Sequence, residues 1–407
     1  MTSLAAVPTE APVQVSTRNL DSIMEGVLEG RAVTREDAIR LISGPDYEVD
    51  ALCRTAAELR DRGRGKTVTY SPKVFIPLTR LCRDVCSYCT FRQEPHAIAA
   101  YLTPEEVIEV ARAGERMGCW EALFTLGERP EQRYPEARAW LDRYGYKSTL
   151  DYLGAMCALV LKETRMLPHA NPGTMARREM AALRPVNVSM GLMLESVSEK
   201  LYAPGGPHEH APSKRPRVRL RTLDLAGQLS IPFTTGLLIG IGETLEEQVD
   251  GLLAIRDLHQ QYGHIQEVII QNFRAKPETP MQDAAEPTVL NVLRSVAVAR
   301  IVLGQDMNLQ VPPNLTASDY PEYLDAGIND WGGISPVTID YVNPEAPWPQ
   351  IADLRRNTEE RGYALEPRLP LYREYVTQGL DQFVDPALHD RVIASANEHG
   401  LAVGGPA

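Results

Sequence analysis

Short apolar runs alternate with longer amphipathic stretches from about residue 72 into the last third of the chain. A buried strand is typically an apolar run of about four to eight residues, whereas a crossover helix is longer and amphipathic. The alternation predicts βαβ units and a parallel sheet, and the count of eight strands predicts a TIM-type (β/α) barrel of the α/β class. The predicted strands are residues 74–78, 121–125, 167–171, 186–194, 233–239, 264–271, 309–311 and 334–339.

Capping signals place helices before and between these strands. Thr34 is a plausible N-cap of a short helix, and Thr103-Pro104-Glu105-Glu106 combines an N-cap, a proline at N1 and a glutamate at N3. Further helices are predicted at residues 47–62, 149–164, 174–183, 218–229 and 289–303, with a polar insert at 127–147. We therefore expect a disordered N-terminus (1–19), a helical extension (20–70), the barrel (71–342) and a C-terminal cap and tail (343–407).

Composition and charge narrow the classes of function. The 407-residue chain has a net charge of −12, which argues against a nucleic-acid partner, and the isolated basic run at 214–221 predicts a solvated helix start. The chain lacks both a signal peptide and an apolar run of the roughly eighteen residues that a membrane span needs. Three of its six cysteines are clustered and three are scattered, which predicts a reducing cytosol rather than a disulfide framework.

The clustered cysteines follow the first predicted strand directly. Cys82, Cys86 and Cys89 have the spacing C-x3-C-x2-C, so three thiolates on one loop can converge on one metal centre. A closed zinc site requires a fourth ligand, and none stands at a matching spacing. A cubane iron–sulfur cluster can instead leave one iron open for a small molecule. The alternatives are half a zinc ribbon or three unrelated thiols.

The cysteine spacing, together with the aromatic Tyr88 before the last cysteine, resembles the radical S-adenosylmethionine (SAM) enzymes. The resemblance implies a radical SAM barrel in which the three cysteines hold a [4Fe-4S] cluster and the open iron chelates the amino and carboxylate groups of SAM. It also implies that Tyr88 lies against the adenine.

Motifs at other predicted strand ends are similar to the SAM-binding stretches of that superfamily. Leu126-Gly127-Glu128 is similar to the GGE stretch, although Leu126 replaces the first glycine, and residues 236–243 follow the pattern G-x-[IL]-x-G-x-x-E. An arginine on the helix after strand four meets the SAM carboxylate in that superfamily, and Arg221 is the alternative to Arg219 for this role. The resemblance implies SAM contacts for Gly127, Glu128, Glu195, Ser196, Arg219, Gly240 and Glu243.

The remaining polar residues at strand ends are candidates for the substrate, because barrel chemistry concentrates at the C-terminal ends of the strands. A lone histidine is more often structural than catalytic, and an arginine at the rim is often a surface charge. The candidates are His169, Asn171, Asn272 and Arg274 at strand ends, together with Asp330 in the loop before the eighth predicted strand.

Three stretches narrow the resemblance to the CofG branch of the FO synthase family. They are Phe91-Arg92, residues 126–131 and residues 272–277, and the likeness covers most of residues 70–375. It implies a lyase in which a 5′-deoxyadenosyl radical takes hydrogen from a tyrosine/ribityl-diaminouracil adduct, after which ammonia is lost and the deazaflavin ring closes. It also implies a CofH-type partner subunit or a fused second half, and a ferredoxin or flavodoxin as reductant.

Two other interpretations remain open. Sister radical SAM enzymes, such as a CofH-type synthase or a menaquinone-pathway enzyme, share the cysteine spacing and differ in their products. An iron–sulfur protein that only transfers electrons leaves Glu195, Arg219 and the glycine-rich stretch at 236–243 without a role.

Overall fold

Eight parallel strands form a closed barrel in the computed structural model, which describes residues 16–316 and 318–406. Strand β1 pairs with both β2 and β8, which closes the sheet. A ninth strand, β9, pairs in parallel with the first four residues of β1 and lies outside the closed ring. The strands are β1 (Thr67–Ile76), β2 (Glu121–Thr125), β3 (Leu167–Asn171), β4 (Ser189–Gly191), β5 (Phe233–Ile239), β6 (Ile265–Asn272), β7 (Leu309–Gln310), β8 (Asp330–Ile334) and β9 (Ala364–Pro367).

Helices surround the barrel, and several begin at the predicted caps. Thr34 and Thr103 each accept a backbone N–H of the first turn, as predicted, and each is also part of a capping box. The helices are α1 (Leu20–Leu28), α2 (Arg35–Ile42), α3 (Val49–Arg64), α4 (Pro104–Arg116), α5 (Pro135–Tyr144), α6 (Thr149–Glu163), α7 (Arg177–Leu183), α8 (Pro216–Gln228), α9 (Leu245–Tyr262), α10 (Val289–Leu303), α11 (Ile351–Glu360), α12 (Arg373–Thr377), α13 (Leu380–Phe383) and α14 (His389–Ser395).

The barrel class is confirmed, and β2, β3 and β5 have the predicted limits. The predicted eighth strand at 334–339 is wrong. Val337 and Ile339 are 39% and 55% exposed, whereas the stretch that begins with the polar Asp330 is buried except at Gly333. Burial of this stretch is possible because Asp330 accepts hydrogen bonds from Thr69 and Arg368. The predicted disorder covers residues 1–19, of which 1–15 lie outside the described residues. Within 16–19, Arg18 bonds Asp37 and Asn19 is the N-cap of α1, so these residues are ordered.

The insert at 127–147 contains helix α5, which the sequence analysis missed. Its limits follow general rules, since Pro135 occupies N1 and Gly145 ends the helix at φ +80°. Trp140 anchors it, with its ring centroid 4.8 Å from those of Tyr101 and Tyr152. The insert is therefore a packed element beside the barrel.

The segment after β9 closes the N-terminal end of the barrel. Leu369 and Leu371 pack in one apolar cluster with residues at or before the starts of β2, β3 and β4. Arg368 bonds Asp330 of β8 at 2.7 Å and Glu267 of β6 at 3.1 Å. Because one guanidinium bonds two buried carboxyl groups, this segment ties the last barrel strands together.

The pH dependence of the free energy of unfolding tests the role of Glu267 in this closure. Burial raises the pKa of Glu267 to about 7 from its ordinary value of 4.5; Arg368 acts to lower it and Asp330 to raise it. Between pH 4.5 and about 7, Glu267 is deprotonated in the unfolded chain and protonated in the folded chain. The contribution of Glu267 to the free energy of unfolding therefore declines as pH rises through this range. We expect Glu267→Gln to remove a decline of up to about 3 kcal/mol in the free energy of unfolding.

Urea unfolding of wild type and variant at several values between pH 4.5 and 7.5 measures this difference. The exposed Glu360 provides a matched control, since Glu360→Gln changes no buried carboxyl group. Parallel stability curves for wild type and Glu267→Gln would contradict the assignment.

Candidate active site

A cavity of about 350 Å³ runs from the cysteine loop along the inside of the barrel to Arg368 and Pro370. The interior of an eight-stranded barrel is normally filled by side chains, so an internal cavity lined by polar groups indicates a ligand site. Most of the predicted site residues line it: Cys82, Cys86, Cys89, Tyr88, Gly127, Glu128, His169, Asn171, Glu195, Arg219, Asn272 and Arg274. Ser196, Gly240, Glu243 and Asp330 lie outside this lining.

The cysteine loop lies directly against the end of β2. The backbone N–H of Glu128 donates to the Cys82 Sγ at 3.2 Å, and that of Gly127 donates to the Thr79 carbonyl at 2.9 Å. A Cβ at Gly127 would stand 1.9 Å from the Leu81 carbonyl oxygen, so only glycine permits this approach. The partial GGE motif therefore has a packing role that the structure explains.

The donor set of this loop suits a cubane cluster. Burial raises the pKa of the Cys82 thiol to about 12, with nearby Asp84 adding to the effect and the Glu128 N–H opposing it. Such a thiol loses its proton when a metal binds, and N–H···S bonds are typical around cluster cysteines. Within the described part of the chain, no three His, Cys, Asp or Glu side chains gather as they would around a single ion. Cubane thiolates each bind a different iron atom and stand farther apart than the ligands of a single ion, so this result does not conflict with a cluster held by the three cysteines.

Opposite the thiols, Glu195 forms a buried charge cluster with Lys214 and Arg219. Lys214 bonds the Glu195 carboxylate, and the Arg219 Nη1 stands 3.9 Å from it. Burial acts to raise the pKa of Glu195, but the charges of Lys214 and Arg219 bring it below its ordinary value. The carboxylate is therefore ionised where the cavity needs a fixed negative charge.

The backbone around Glu195 fixes its direction. Glu195 has a left-handed φ of +67°, which is costly for a residue with a side chain. Its N–H donates to the Gly236 carbonyl at 3.0 Å, and its carbonyl accepts from the Leu238 N–H at 2.9 Å. Strand β5 thus holds the loop after β4 in this conformation and directs the carboxylate into the cavity.

The basic run at 214–221 divides between the cavity and the solvent. Lys214 and Arg219 are 15% and 5% exposed, so the prediction of a solvated helix start is wrong for them. Arg221 is 62% exposed and bonds Asp224 at 2.7 Å, which removes it as the alternative to Arg219. Lys214 was missed; Pro216 at N1 of α8, which places Lys214 in the loop before that helix, is the signal that could have found it.

Arg219 is held in place by backbone carbonyls. Its Nε donates to the Ser213 carbonyl at 3.2 Å, and its Nη1 donates to that of Met193. Within the described part of the chain, its Nη2 has no hydrogen-bond partner, while the residue lines the cavity. A fixed guanidinium with a free nitrogen can bind a ligand carboxylate.

Glu128 is also buried, but its carboxylate already has protein partners. It accepts hydrogen bonds from the Thr174 N–H at 2.9 Å and from the Thr174 hydroxyl at 2.7 Å. A Cβ at Gly173, whose φ is +87°, would meet the carboxylate at 1.9 Å. Burial raises the pKa of Glu128, and the Thr174 hydrogen bonds oppose this. Glu128 therefore presents mainly its backbone to the cysteine loop.

The glycine-rich end of β5 organises its own loop. The Glu243 carboxylate accepts from the N–H groups of Gly240 at 2.7 Å and Ile241 at 2.9 Å. Gly240 has φ +93°, and a Cβ there would meet Pro287 at 2.3 Å. Ser196 also has a local partner, since its hydroxyl accepts from the Ser198 N–H at 3.1 Å. SAM contacts by these three residues stay a prediction.

Tyr88 is supported by a histidine that the sequence analysis missed. The Tyr88 hydroxyl lies 2.9 Å from the His208 Nε2, and the ring centroids are 5.6 Å apart. Burial lowers the pKa of His208 to about 3, so the imidazole is neutral. The contact joins the cysteine loop to the loop before α8, which carries Lys214.

The substrate candidates occupy different environments. His169 is buried, its Nδ1 lies 2.8 Å from the Ser189 hydroxyl, and burial lowers the pKa of its imidazole to about 4. Asn171 lines the cavity at the end of β3. Asn272 is 2% exposed, and its Oδ1 has no hydrogen-bond partner among the described residues. Arg274 stands at the rim, 43% exposed and 3.0 Å from Glu286.

Asp330 does not line the cavity, contrary to the prediction of a substrate role. It is completely buried, and both carboxylate oxygens accept hydrogen bonds from Arg368. The sequence analysis placed Asp330 in a loop before β8, whereas it is the first residue of that strand. Its role in the structure is to anchor Arg368.

The comparisons with known proteins agree with this geometry. A family profile described as "Radical SAM superfamily" matches residues 76–252. The "X-ray structure of the FeFe-hydrogenase maturase HydG from Carboxydothermus hydrogenoformans" has a TM-score of 0.69 at 19% identity and covers 91% of this chain and 87% of that one. Methylornithine synthase (PylB) has a TM-score of 0.67 at 20% identity, covering 84% of this chain and 97% of that one. These solved structures share the fold, and the profile match places residues 76–252 in the radical SAM superfamily.

Relatives with higher identity define the family further. "7,8-didemethyl-8-hydroxy-5-deazariboflavin synthase" of Methanopyrus kandleri is 57% identical over 77% of this chain and 93% of that protein. "FO synthase" of Nocardia farcinica is 46% identical over 98% of this chain and 48% of that protein; that of Mycobacterium tuberculosis is 47% identical over 95% and 47%. The chain belongs to the FO synthase family and spans about half the length of the Nocardia farcinica and Mycobacterium tuberculosis relatives.

Membership of the radical SAM superfamily implies a [4Fe-4S] cluster and SAM. In the described part of the chain, no helix is both long enough and apolar enough to cross a membrane.

Proposed function

We propose that this chain catalyses the ring-forming step in the synthesis of the deazaflavin FO. Its substrate is an adduct of tyrosine and 5-amino-6-(D-ribitylamino)uracil, and the step closes the ring with loss of ammonia. The observation that carries the proposal is 57% identity over 93% of the synthase from Methanopyrus kandleri. The cavity supports it, because residues suited to a cluster, to SAM and to a polar substrate line one continuous space.

Cys82, Cys86 and Cys89 would hold the cluster, which when bound and reduced supplies the electron that cleaves SAM into methionine and the hydrogen-abstracting radical. Arg219 would bind the SAM carboxylate through its free Nη2 nitrogen, and the ionised Glu195 would attract the ammonium group. Lys214 positions Glu195. Charges fixed in advance in a buried cavity orient a ligand without reorganisation, which is how these side chains would contribute to the reaction.

Asn272 would fix the substrate beside the SAM site. Its amide lies at the end of β6, and a buried carbonyl oxygen without a partner requires a donor from the ligand. Closure of the opposite barrel end by the segment at 368–370 keeps water from entering there, which protects a radical from side reactions.

The partners follow from the same proposal. Because FO synthases of about twice this length match the chain over one half, a CofH-type partner subunit or fused half would supply the adduct. A ferredoxin or flavodoxin would supply the electron. A cytosolic location, expected from the cysteine content, stays a prediction.

Anaerobic turnover tests the proposal directly. The reconstituted chain is incubated with a CofH-type partner, tyrosine, the ribityl-diaminouracil, SAM and dithionite, and FO and 5′-deoxyadenosine are measured by mass. Formation of both products is expected, each dependent on this chain. Formation of 5′-deoxyadenosine with a product other than FO would favour a sister radical SAM enzyme, and formation of neither would favour an electron-transfer protein.

Asn272→Ala should separate substrate chemistry from SAM chemistry. We expect FO formation to fall by about ten-fold or more, because the side chain lies inside the cavity, whereas SAM binding should change little. Uncoupled 5′-deoxyadenosine should rise relative to FO. Arg274→Ala is the matched control at the exposed rim, and we expect a smaller loss there. If the Asn272 variant keeps full FO yield, the substrate is held elsewhere, and His169 and Asn171 are the next candidates.

A further inference from the structure

The deep half of the cavity, farthest from the cysteine loop, has a polar lining that the proposed SAM site does not use. We call it the polar floor; it consists of Lys73, Glu121, His169, Gln266, Gln310 and Arg368. Glu121 and Gln266 stand at the N-terminal ends of β2 and β6, and Lys73 is in register with Glu121. The cysteines instead follow the C-terminal end of β1.

Gln266 presents an unused acceptor. It is 2% exposed, and its Oε1 has no hydrogen-bond partner within the described ranges. Its Nε2 lies 3.4 Å from the Thr234 hydroxyl and 3.4 Å from the Pro370 carbonyl oxygen. The Pro370 carbonyl oxygen can only accept a hydrogen bond, so the amide nitrogen of Gln266 must face it. The Gln266 Oε1 is then available for a donor.

Lys73 presents an unused donor. Its side chain crosses the bare backbone of Gly333, where a Cβ would meet the Lys73 Nζ at 2.4 Å. The Nζ lies 5.1 Å from the Trp348 ring and 5.9 Å from the Phe75 ring. The residue is 9% exposed, and the ammonium has no hydrogen-bonded protein partner in residues 16–316 and 318–406. Burial lowers the pKa of the Lys73 amine, and the charge of Glu121 opposes this shift. The N–H groups of the amine require an acceptor, which a ligand in the cavity would supply.

We propose that the polar floor is the binding subsite for the ribityl chain of the substrate, an inference that rests on the function proposed above. The reacting atoms must lie near the SAM site at the cysteine loop, because hydrogen transfer requires contact distance. The unreacting part of the substrate then extends into the deep half of the cavity. Each ribityl hydroxyl both donates and accepts, so one chain can satisfy the Gln266 oxygen and the Lys73 amine together.

Binding of the ribityl chain by the polar floor is tested with two ligands that differ only in that chain. The probes are FO and an analogue in which methyl replaces the ribityl chain, and binding to the full, anaerobically reconstituted chain with SAM is measured by equilibrium dialysis. We expect wild type to prefer FO by about ten-fold or more. Gln266→Leu and Lys73→Met should each lower this preference about three- to ten-fold and leave the affinity for the methyl analogue within about two-fold.

Lys162→Met, at a lysine that is 78% exposed, is the matched control and should keep the wild-type preference. Formation of 5′-deoxyadenosine from SAM and dithionite without substrate verifies that each variant is folded and loaded. If FO is formed and bound but both variants keep the wild-type preference, or lose affinity for both ligands equally, the subsite is wrong and the proposed function stands. If wild type neither forms nor binds FO, the proposed function fails, and the subsite fails with it.

Discussion

Replacing Cys86 with alanine should abolish cluster assembly and reduce 5′-deoxyadenosine formation to background. Two remaining thiolates do not hold a cubane stably, and no other cysteine lines the described cavity. The loop itself should survive, because its backbone is held independently of the thiol. The Val85 N–H donates to the His210 carbonyl at 3.0 Å, and the Ser87 N–H donates to that of Pro207 at 2.9 Å.

Iron content, visible absorbance and product formation measure the effect on the anaerobically reconstituted protein. Cys53→Ala is the matched control, since Cys53 is a buried cysteine of helix α3 outside the cavity. We expect that variant to retain the cluster and SAM cleavage. A Cys86→Ala protein with full iron content and turnover would place the cluster elsewhere and remove the basis of the site described here.

Local signals predicted those parts of the fold that depend on nearby residues. The apolar residues of β2, β3 and β5 are buried in strands that have the predicted limits, so pattern and structure coincide. Helix α10 also has its predicted limits, with Thr288 as N-cap and Gly304 at its end. Where hydrophobic period, cap and turn residues agree, the sequence determines an element without tertiary information.

The strand β8 shows where local reasoning fails. Its sequence, Asp330-Trp331-Gly332-Gly333-Ile334, has low strand propensity and begins with a carboxylate. It becomes a central strand because Arg368, 38 residues later, neutralises that carboxylate inside the barrel. A contact of this kind depends on a pairing between distant segments, which neither periodicity nor a motif reveals.

The site residues also divide into those that a motif predicts and those that depend on contacts between distant segments. The cysteines and Arg219 were predicted because resemblance and spacing point to them individually. Lys214 and His208 were missed because each contributes through another side chain: Lys214 through Glu195, and His208 through Tyr88. Their positions depend on the fold of the loop that precedes α8, and that loop carries no motif.

Arg219→Ala should weaken SAM binding strongly. If the guanidinium binds the SAM carboxylate, its removal leaves a desolvated charge unpaired, which costs about 2–5 kcal/mol, or roughly 30- to 5,000-fold in the dissociation constant. The residue is 4% exposed, so solvent cannot compensate for the loss. The cluster should be retained, because Arg219 contacts the loop carbonyls of Met193 and Ser213 rather than the cysteines.

Arg221→Ala provides the control within the same helix. Its guanidinium is 62% exposed and pairs with Asp224, so we expect SAM affinity to remain within about two-fold of wild type. Arg219→Lys should give an intermediate affinity, since it keeps the charge that offsets Glu195 but loses the planar fork. Dissociation constants for SAM, measured by calorimetry on the cluster-loaded variants, test this prediction. Equal SAM affinity in wild type and Arg219→Ala, with the cluster intact, would transfer the carboxylate-binding role to Lys214, the other cation of this charge cluster.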